Sequence, residues 1–153
     1  MNHAGTPQKC KLLFVDDSHT EINYLKLLFQ FAELPATADF MISAHDALTM
    51  LESLPEADFP DFIIVDINMP LMDGFEFTEK YLLKFKSKFP QTYLFIYSTS
   101  LHSKDVLKAE SIDGVQGFIS KPFDEAAFNQ NIRPLMLGSD SDTDQENGVT
   151  ATP

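Results

Sequence analysis

Side chains suited to phosphate or to a hard cation recur in this sequence at the ends of short apolar runs. Leu12 to Val15 leads into Asp16 and Asp17, and Phe62 to Val65 leads into Asp66. Tyr93 to Tyr97 leads into Ser98, Thr99 and Ser100, and Gly117 to Ser120 leads into Lys121 and Pro122. Three carboxylates brought together repel one another and raise each other's pKa unless a cation neutralises them. A hard divalent ion answers that need, and oxygen ligands with an open mouth suit magnesium better than zinc. A phosphoryl group could then be held by the ion, by Lys121 and by a hydroxyl. The chemistry suggested is phosphoryl transfer onto a carboxylate, with Asp66 as nucleophile and Asp16 and Asp17 as metal ligands.

Each feature also has a plainer account. Asp17 or Ser18 could simply cap a helix beginning near Thr20. Lys121-Pro122 could be a strand end followed by a turn proline, and Ser98 to Ser100 an ordinary polar loop. Their joint placement after four different runs is what favours the chemical reading.

That placement depends on the elements between them. The runs at Leu12–Val15, Phe62–Val65, Tyr93–Tyr97 and Gly117–Ser120, with a weaker one at Ala38–Ile42, read as five strands. Helical periodicity fills the gaps over Thr20–Glu33, Ala44–Leu54, Phe75–Phe89, Ser103–Ser111 and Asp124–Leu137, the last with Asp124 at its N-terminus. Strands that are apolar throughout and alternate with helices predict a doubly wound α/β domain around a five-stranded parallel sheet. Ligands bind beyond the carboxyl ends of such strands, where the polar residues fall.

Composition narrows the function classes. Among 153 residues, 23 acids against 11 bases give a formal net charge of −12, and Arg133 is the single arginine. Nucleic acid and anionic membrane surfaces are therefore poor partners. Cys10 is the only cysteine and can form neither an internal disulfide nor a paired metal motif, so a reducing, cytoplasmic setting is expected. Residues 1–8 read as a polar N-terminal extension and 138–153 as a disordered acidic tail, leaving 9–137 as one domain. The tail holds four of the acids, so the acidity belongs to the domain as well.

In order and spacing these segments resemble the receiver domain of two-component response regulators. The resemblance is carried by Leu12-Leu13-Phe14-Val15-Asp16-Asp17-Ser18, by Ile63 to Gly74 with its Asp66-Ile67-Asn68-Met69-Pro70-Leu71-Met72-Asp73-Gly74 stretch, by Tyr97 to Ser100, and by Gly117 to Phe123. It implies the flavodoxin-like receiver fold, with Asp66 taking a phosphoryl group from a sensor histidine kinase or a histidine phosphotransfer protein. It implies magnesium held by Asp17, Asp66 and the main-chain carbonyl of Asn68, with Asp16 acting through water, and Lys121 on the phosphoryl group before a cis Lys121–Pro122 bond. Phe118 falls at the family's aromatic switch position. For the partner hydroxyl, strand alignment selects Ser98, whereas counting back from Lys121 by the commonest family spacing selects Thr99. Ser98 is favoured, because Leu94 to Tyr97 fills the strand and the loop before Phe118 is long by one residue.

Other features point to contacts. Lys80, Lys84, Lys86 and Lys88 form a basic segment that is either a solvated face or a kinase contact. Met69, Met72 and Phe75 are apolar candidates for partner docking, with core packing as the other account. His3, His19, His45 and His102 have no metal spacing and read as surface residues.

A histidine phosphotransfer protein, an all-helical bundle, is excluded by the apolar strands, which leaves three competing functions. The first is a phosphorylation-controlled interaction module; only 16 residues follow Leu137, so output would pass to a downstream protein partner. Either the chain is a stand-alone receiver, which Met1 favours, or it is part of a longer protein. The second is a magnesium-dependent phosphohydrolase of the haloacid-dehalogenase type, disfavoured because Asn68 stands where that chemistry needs an acid. The third is a degenerate receiver acting without phosphate, disfavoured because every required side-chain type is present.

Overall fold

The computed structural model describes residues 9–99 and 102–136. The chain divides into two compact units, Met1–Pro122 and Phe123–Pro153. The expected N-terminal extension and acidic tail, together with Leu137 and Ser100, lie outside the described residues.

In the first unit the chain runs β1 (Cys10–Val15), α1 (His19–Phe31), β2 (Ala36–Met41), α2 (Ala44–Ser53), β3 (Phe62–Asp66), α3 (Gly74–Phe85), β4 (Tyr93–Ser98), α4 (Ser103–Ser111) and β5 (Val115–Ser120). The five strands form one sheet in the order β2-β1-β3-β4-β5, and every neighbouring pair is parallel. Successive side chains on a strand leave on opposite faces, so a strand covered on both sides must be apolar throughout. Phe62 to Val65 and Leu94 to Tyr97 are all buried, as the continuous runs predict. One face, carrying Leu13, Val15, Ile63, Val65, Leu94 and Ile96, packs with Ala47 and Leu51 of α2, Phe77 and Tyr81 of α3, and Ala109 of α4. On the other face Phe14 meets Phe29 of α1 edge-on, with ring centroids 5.7 Å apart, and stacks on Phe40 of β2.

Element boundaries shift where tertiary contacts intervene. β2 begins at Ala36 rather than Ala38, because its register with β1 starts at Cys10. α3 stops at Phe85 rather than Phe89. There the amides of Lys88 and Phe89 both turn back to the Phe85 carbonyl, and the Phe89 ring stacks on Phe59 with centroids 3.6 Å apart. β5 starts two residues early, at Val115, and carries a bulge: Leu94 pairs with Val115 but Phe95 with Gly117, so Gln116 is the extra residue.

The second unit is described over 123–136. Asp124 caps its helix by accepting the Ala127 amide at 2.8 Å. The helix, α5, is regular over Glu125–Ala127, widens to π geometry over Phe128–Ile132 and ends as Arg133–Met136. Pro134 accounts for the interruption, since it offers no amide to the carbonyl four residues earlier and its ring crowds that position.

Candidate functional site

The strand order reverses between β1 and β3: the chain leaves β1 for β2 on one side and returns to β3 on the other. Loops diverge at such a point and leave a crevice over the carboxyl ends. Asp16 and Asp17 follow β1 there, and Asp66 ends β3. One carboxylate oxygen from each of the three lies within 4.8 Å of the others. Asp16 and Asp66 are buried, at 1% and 5% exposure, and Asp17 is half-buried at the mouth.

Local structure fixes each acid. The amide of Ser18 donates to Asp16 Oδ1 at 2.9 Å, and the Ser18 hydroxyl accepts from the Glu21 amide at 3.1 Å. Ser18 is therefore the cap of α1, which begins at His19, and Asp17 is not used for capping. The Asp16 amide is tied to the Met41 carbonyl of β2 at 3.0 Å. Past Asp66 the loop turns sharply: Leu71 sits at φ +71°, in the left-handed region that costs a leucine backbone strain. Gly74 then comes back against β3, its amide donating to the Ile67 carbonyl at 2.9 Å. A Cβ on Gly74 would stand 2.3 Å from the Asp66 carbonyl oxygen, so only glycine fits. α3 is secured directly afterwards by a reciprocal capping box between Asp73 and Glu76.

Lys121 supplies the cluster's ammonium. Its amide extends the β4–β5 ladder to the Ser98 carbonyl at 2.9 Å, and the following bond to Pro122 is cis. Its Nζ lies 2.7 Å from Asp16 Oδ2 and 3.2 Å from Asp66 Oδ1, with the side chain only 12% exposed. Three carboxylates thus face one cation. Burial, reinforced by the Asp16 charge, pushes Asp66 up to about 6 despite the opposing Lys121 ammonium. Burial pulls the Lys121 ammonium down, but the hydrogen bond to Asp16 and the charges of Asp16 and Asp66 outweigh it and leave its pKa raised.

The donor set fits a magnesium ion. It consists of hard carboxylate oxygens with excess negative charge and an exposed mouth, and the group contains no histidine or cysteine that would favour zinc.

The remaining candidates lie around this cluster. Asn68 is exposed in the loop two residues after Asp66. Ser98 is fully buried at the end of β4, whereas Thr99 is exposed beyond it. Ile96 pairs with Phe118 and Ser98 with Ser120, so Ser98 and Phe118 lie on the same face of the sheet. Gln116 in the bulge is the additional residue between β4 and Lys121. Phe118 is half-buried against the core on that face.

Of the two accounts of the apolar residues near Asp66, core packing is the one that applies to Met69 and Phe75. Met69 and Phe75 are 8% and 7% exposed and belong to the core, and Met72 is half-buried against it; the exposed apolar residue of this loop is Leu71. Lys80, Lys84, Lys86 and Lys88 are all exposed, with Lys84 ion-paired to Glu52 of α2. His19, His45 and His102 are exposed, and His3 lies outside the described residues.

Tyr97 and Gly74 gained no role from sequence reasoning. Tyr97 read as one more apolar strand residue, yet it pairs with Asp66 and the Lys121 ammonium sits 5.0 Å from its ring centroid. For Gly74 the available signal was a glycine immediately after the Asp73 cap.

Comparison with known proteins bears on the family and the fold. The model of the response regulator receiver domain family matches residues 12–133, across both units. The hybrid signal transduction histidine kinase L of Dictyostelium discoideum is 32% identical over 125 residues, covering 80% of this chain and 7% of the kinase. The chemotaxis protein CheY-3 of Vibrio cholerae is 28% identical over 122 residues, covering 80% of this chain and 88% of CheY-3. A two-component response regulator from Cytophaga hutchinsonii superposes with a TM-score of 0.76 at 25% identity, covering 84% of this chain and 98% of the other. Among the described residues no helix is long and apolar enough to cross a membrane. With an acidic crevice at the sheet's switch point and a family match over most of its length, the chain belongs to the response regulator receiver domains of two-component signalling, which are signalling domains and not classical enzymes.

Proposed function

We propose that this protein accepts a phosphoryl group on Asp66 from a phosphohistidine of a sensor kinase or phosphotransfer protein, with magnesium, and passes the signal to a protein partner through a conformational change. The observation that carries this reading is the convergence of Asp16, Asp17 and Asp66 within 4.8 Å, with Lys121 bridging Asp16 and Asp66. Asp17, Asp66 and the main-chain carbonyl of Asn68 would hold the ion, with Asp16 acting through water. When bound, magnesium supplies positive charge that offsets the carboxylates and draws in phosphoryl oxygens.

In the transfer, a lone pair of an Asp66 oxygen attacks phosphorus, the P–N bond to the donor imidazole breaks, and the imidazole keeps that electron pair and takes up a proton. Lys121 is already aimed at Asp66 and stabilises charge on the phosphoryl oxygens. Ser98 is the hydroxyl that donates to the transferred group, and Phe118, on the same sheet face, follows its movement. The acyl phosphate then hydrolyses slowly, because Asn68 cannot act as a general acid or base. A cytoplasmic location fits this chemistry.

The test is intact-protein mass after incubation with acetyl phosphate and magnesium, beside Asp66→Asn and a magnesium-free control. Addition of one phosphoryl group only to the wild type with magnesium is expected. No addition under any condition would sink the phosphoacceptor assignment and favour an interaction module that works without phosphate.

A further inference from the structure

The ammonium of Lys121 is held by more than carboxylates. Lysine carries its charge on a four-carbon stem with considerable rotamer freedom, so each further contact to the ammonium narrows where it can sit. Tyr97 adds such a contact. It is the register partner of Asp66, and paired residues in a parallel ladder send their side chains to the same face, which places the ring beside the acceptor strand end. The Lys121 Nζ lies 5.0 Å from the ring centroid, within cation–π range.

The ring itself is fixed. Tyr97 is fully buried, Phe14 meets it edge-on with centroids 6.2 Å apart, and its hydroxyl donates to Glu21 Oε2 of α1 at 2.5 Å. A phenol that donates to a carboxylate becomes more electron-rich, which strengthens its attraction for a cation on its face. Glu21 is in turn located by its own amide, which donates to the Ser18 cap next to Asp17.

We infer that Tyr97 is a positioning residue for Lys121: its ring holds the ammonium against Asp16 and Asp66, and the Glu21 carboxylate anchors and polarises that ring, so that the first turn of α1 is linked to the phosphoryl site. The inference rests on the proposed phosphoacceptor role for its meaning, but the placement of Lys121 can be read without any phosphoryl transfer.

The experiment uses the full chain, ¹⁵N-labelled, as wild type, Tyr97→Phe, Tyr97→Leu and Glu21→Gln. Two readouts are taken: exchange of the Lys121 ammonium protons with water, followed on the Nζ resonance, and the rate of phosphorylation by acetyl phosphate with magnesium. In Tyr97→Leu the ammonium should exchange about fivefold faster, the scale of one partly desolvated cation–π contact, and phosphorylation should slow by a similar factor. Tyr97→Phe keeps the ring and should restore most of the protection, while Glu21→Gln should fall between. A folded Tyr97→Leu whose Lys121 ammonium exchanges as in the wild type overturns the inference. Faster exchange in that variant, in a protein whose wild type takes no phosphoryl group, upholds the positioning and removes the phosphoacceptor reading. Should Tyr97→Leu fail to fold, Tyr97→Met carries the same comparison, and equal exchange in Tyr97→Met and Tyr97→Phe overturns the inference.

Discussion

Replacing Asp66 with asparagine should make the metal-free protein more stable at neutral pH, although it removes the proposed acceptor. Asp66 titrates near 6 in the folded chain against 3.8 for an ordinary aspartate, because burial and the Asp16 charge disfavour its ionised form. Between those two values the native state binds more protons than the unfolded chain, so stability falls as pH rises through that window, and the full cost is present above it. Two pKa units correspond to about 3 kcal/mol. The amide's poorer fit beside Lys121 reduces the expected gain to about 2 kcal/mol, or ~4–8 °C in melting temperature for a chain of this size. The assay is thermal unfolding by far-ultraviolet circular dichroism in EDTA, at about pH 4.5 and pH 7.5. Asp66→Asn should melt higher than wild type at the upper pH and by much less at the lower, which lies near the bottom of that window, where most of the cost has gone. Magnesium should raise the wild-type melting temperature at pH 7.5 and raise that of the variant less. A variant less stable than wild type at pH 7.5, or a gap equal at both pH values, would refute the reasoning that the carboxylates of this crevice oppose folding.

Three further outcomes are expected. Gly74→Ala forces a Cβ to within 2.3 Å of the Asp66 carbonyl oxygen, so the backbone must move; denaturant melts should show a loss of about 2–4 kcal/mol, and phosphorylation by acetyl phosphate should fall with it. Cys10 is buried, and burial followed by the Asp61 charge pushes its thiol up to about 11 from 9.0. A thiol reagent at pH 8 should therefore react with the folded chain ~100-fold more slowly than with the unfolded chain, and equal rates would contradict the burial. Ser98→Ala should abolish the phosphorylation-dependent change at Phe118, read by ¹⁹F labelling of the phenylalanines, whereas Thr99→Ala should leave it in place; the reverse pattern would assign the switch to Thr99.

The apolar runs in β1, β3 and β4 were legible in the sequence because a strand buried on both faces has no polar alternation to confuse it, and the acids, hydroxyls and lysine at their ends followed from chain order alone. The parallel sheet, the positions of Asp16, Asp17, Asp66 and Lys121, and the family were therefore open to sequence reasoning. What depended on partners distant in the chain was not. Whether Asp17 or Ser18 caps α1 is decided by which oxygen reaches the Glu21 amide, and the short-range pattern allows both. Local pattern leaves Met69 and Phe75 as either docking or core residues, and only the packing of the loop and α3 puts them in the core. Gln116 lies in a bulge that exists only because β5 pairs with β4. Tyr97 resembles any aromatic strand residue until its pairing with Asp66 and its reach to Glu21 and Lys121 are known. Periodicity and end-of-strand chemistry are local properties that a sequence carries directly, whereas register, burial and the meeting of side chains 76 residues apart, as in Tyr97 and Glu21, arise only when the sheet closes and long-range packing overrides local preference.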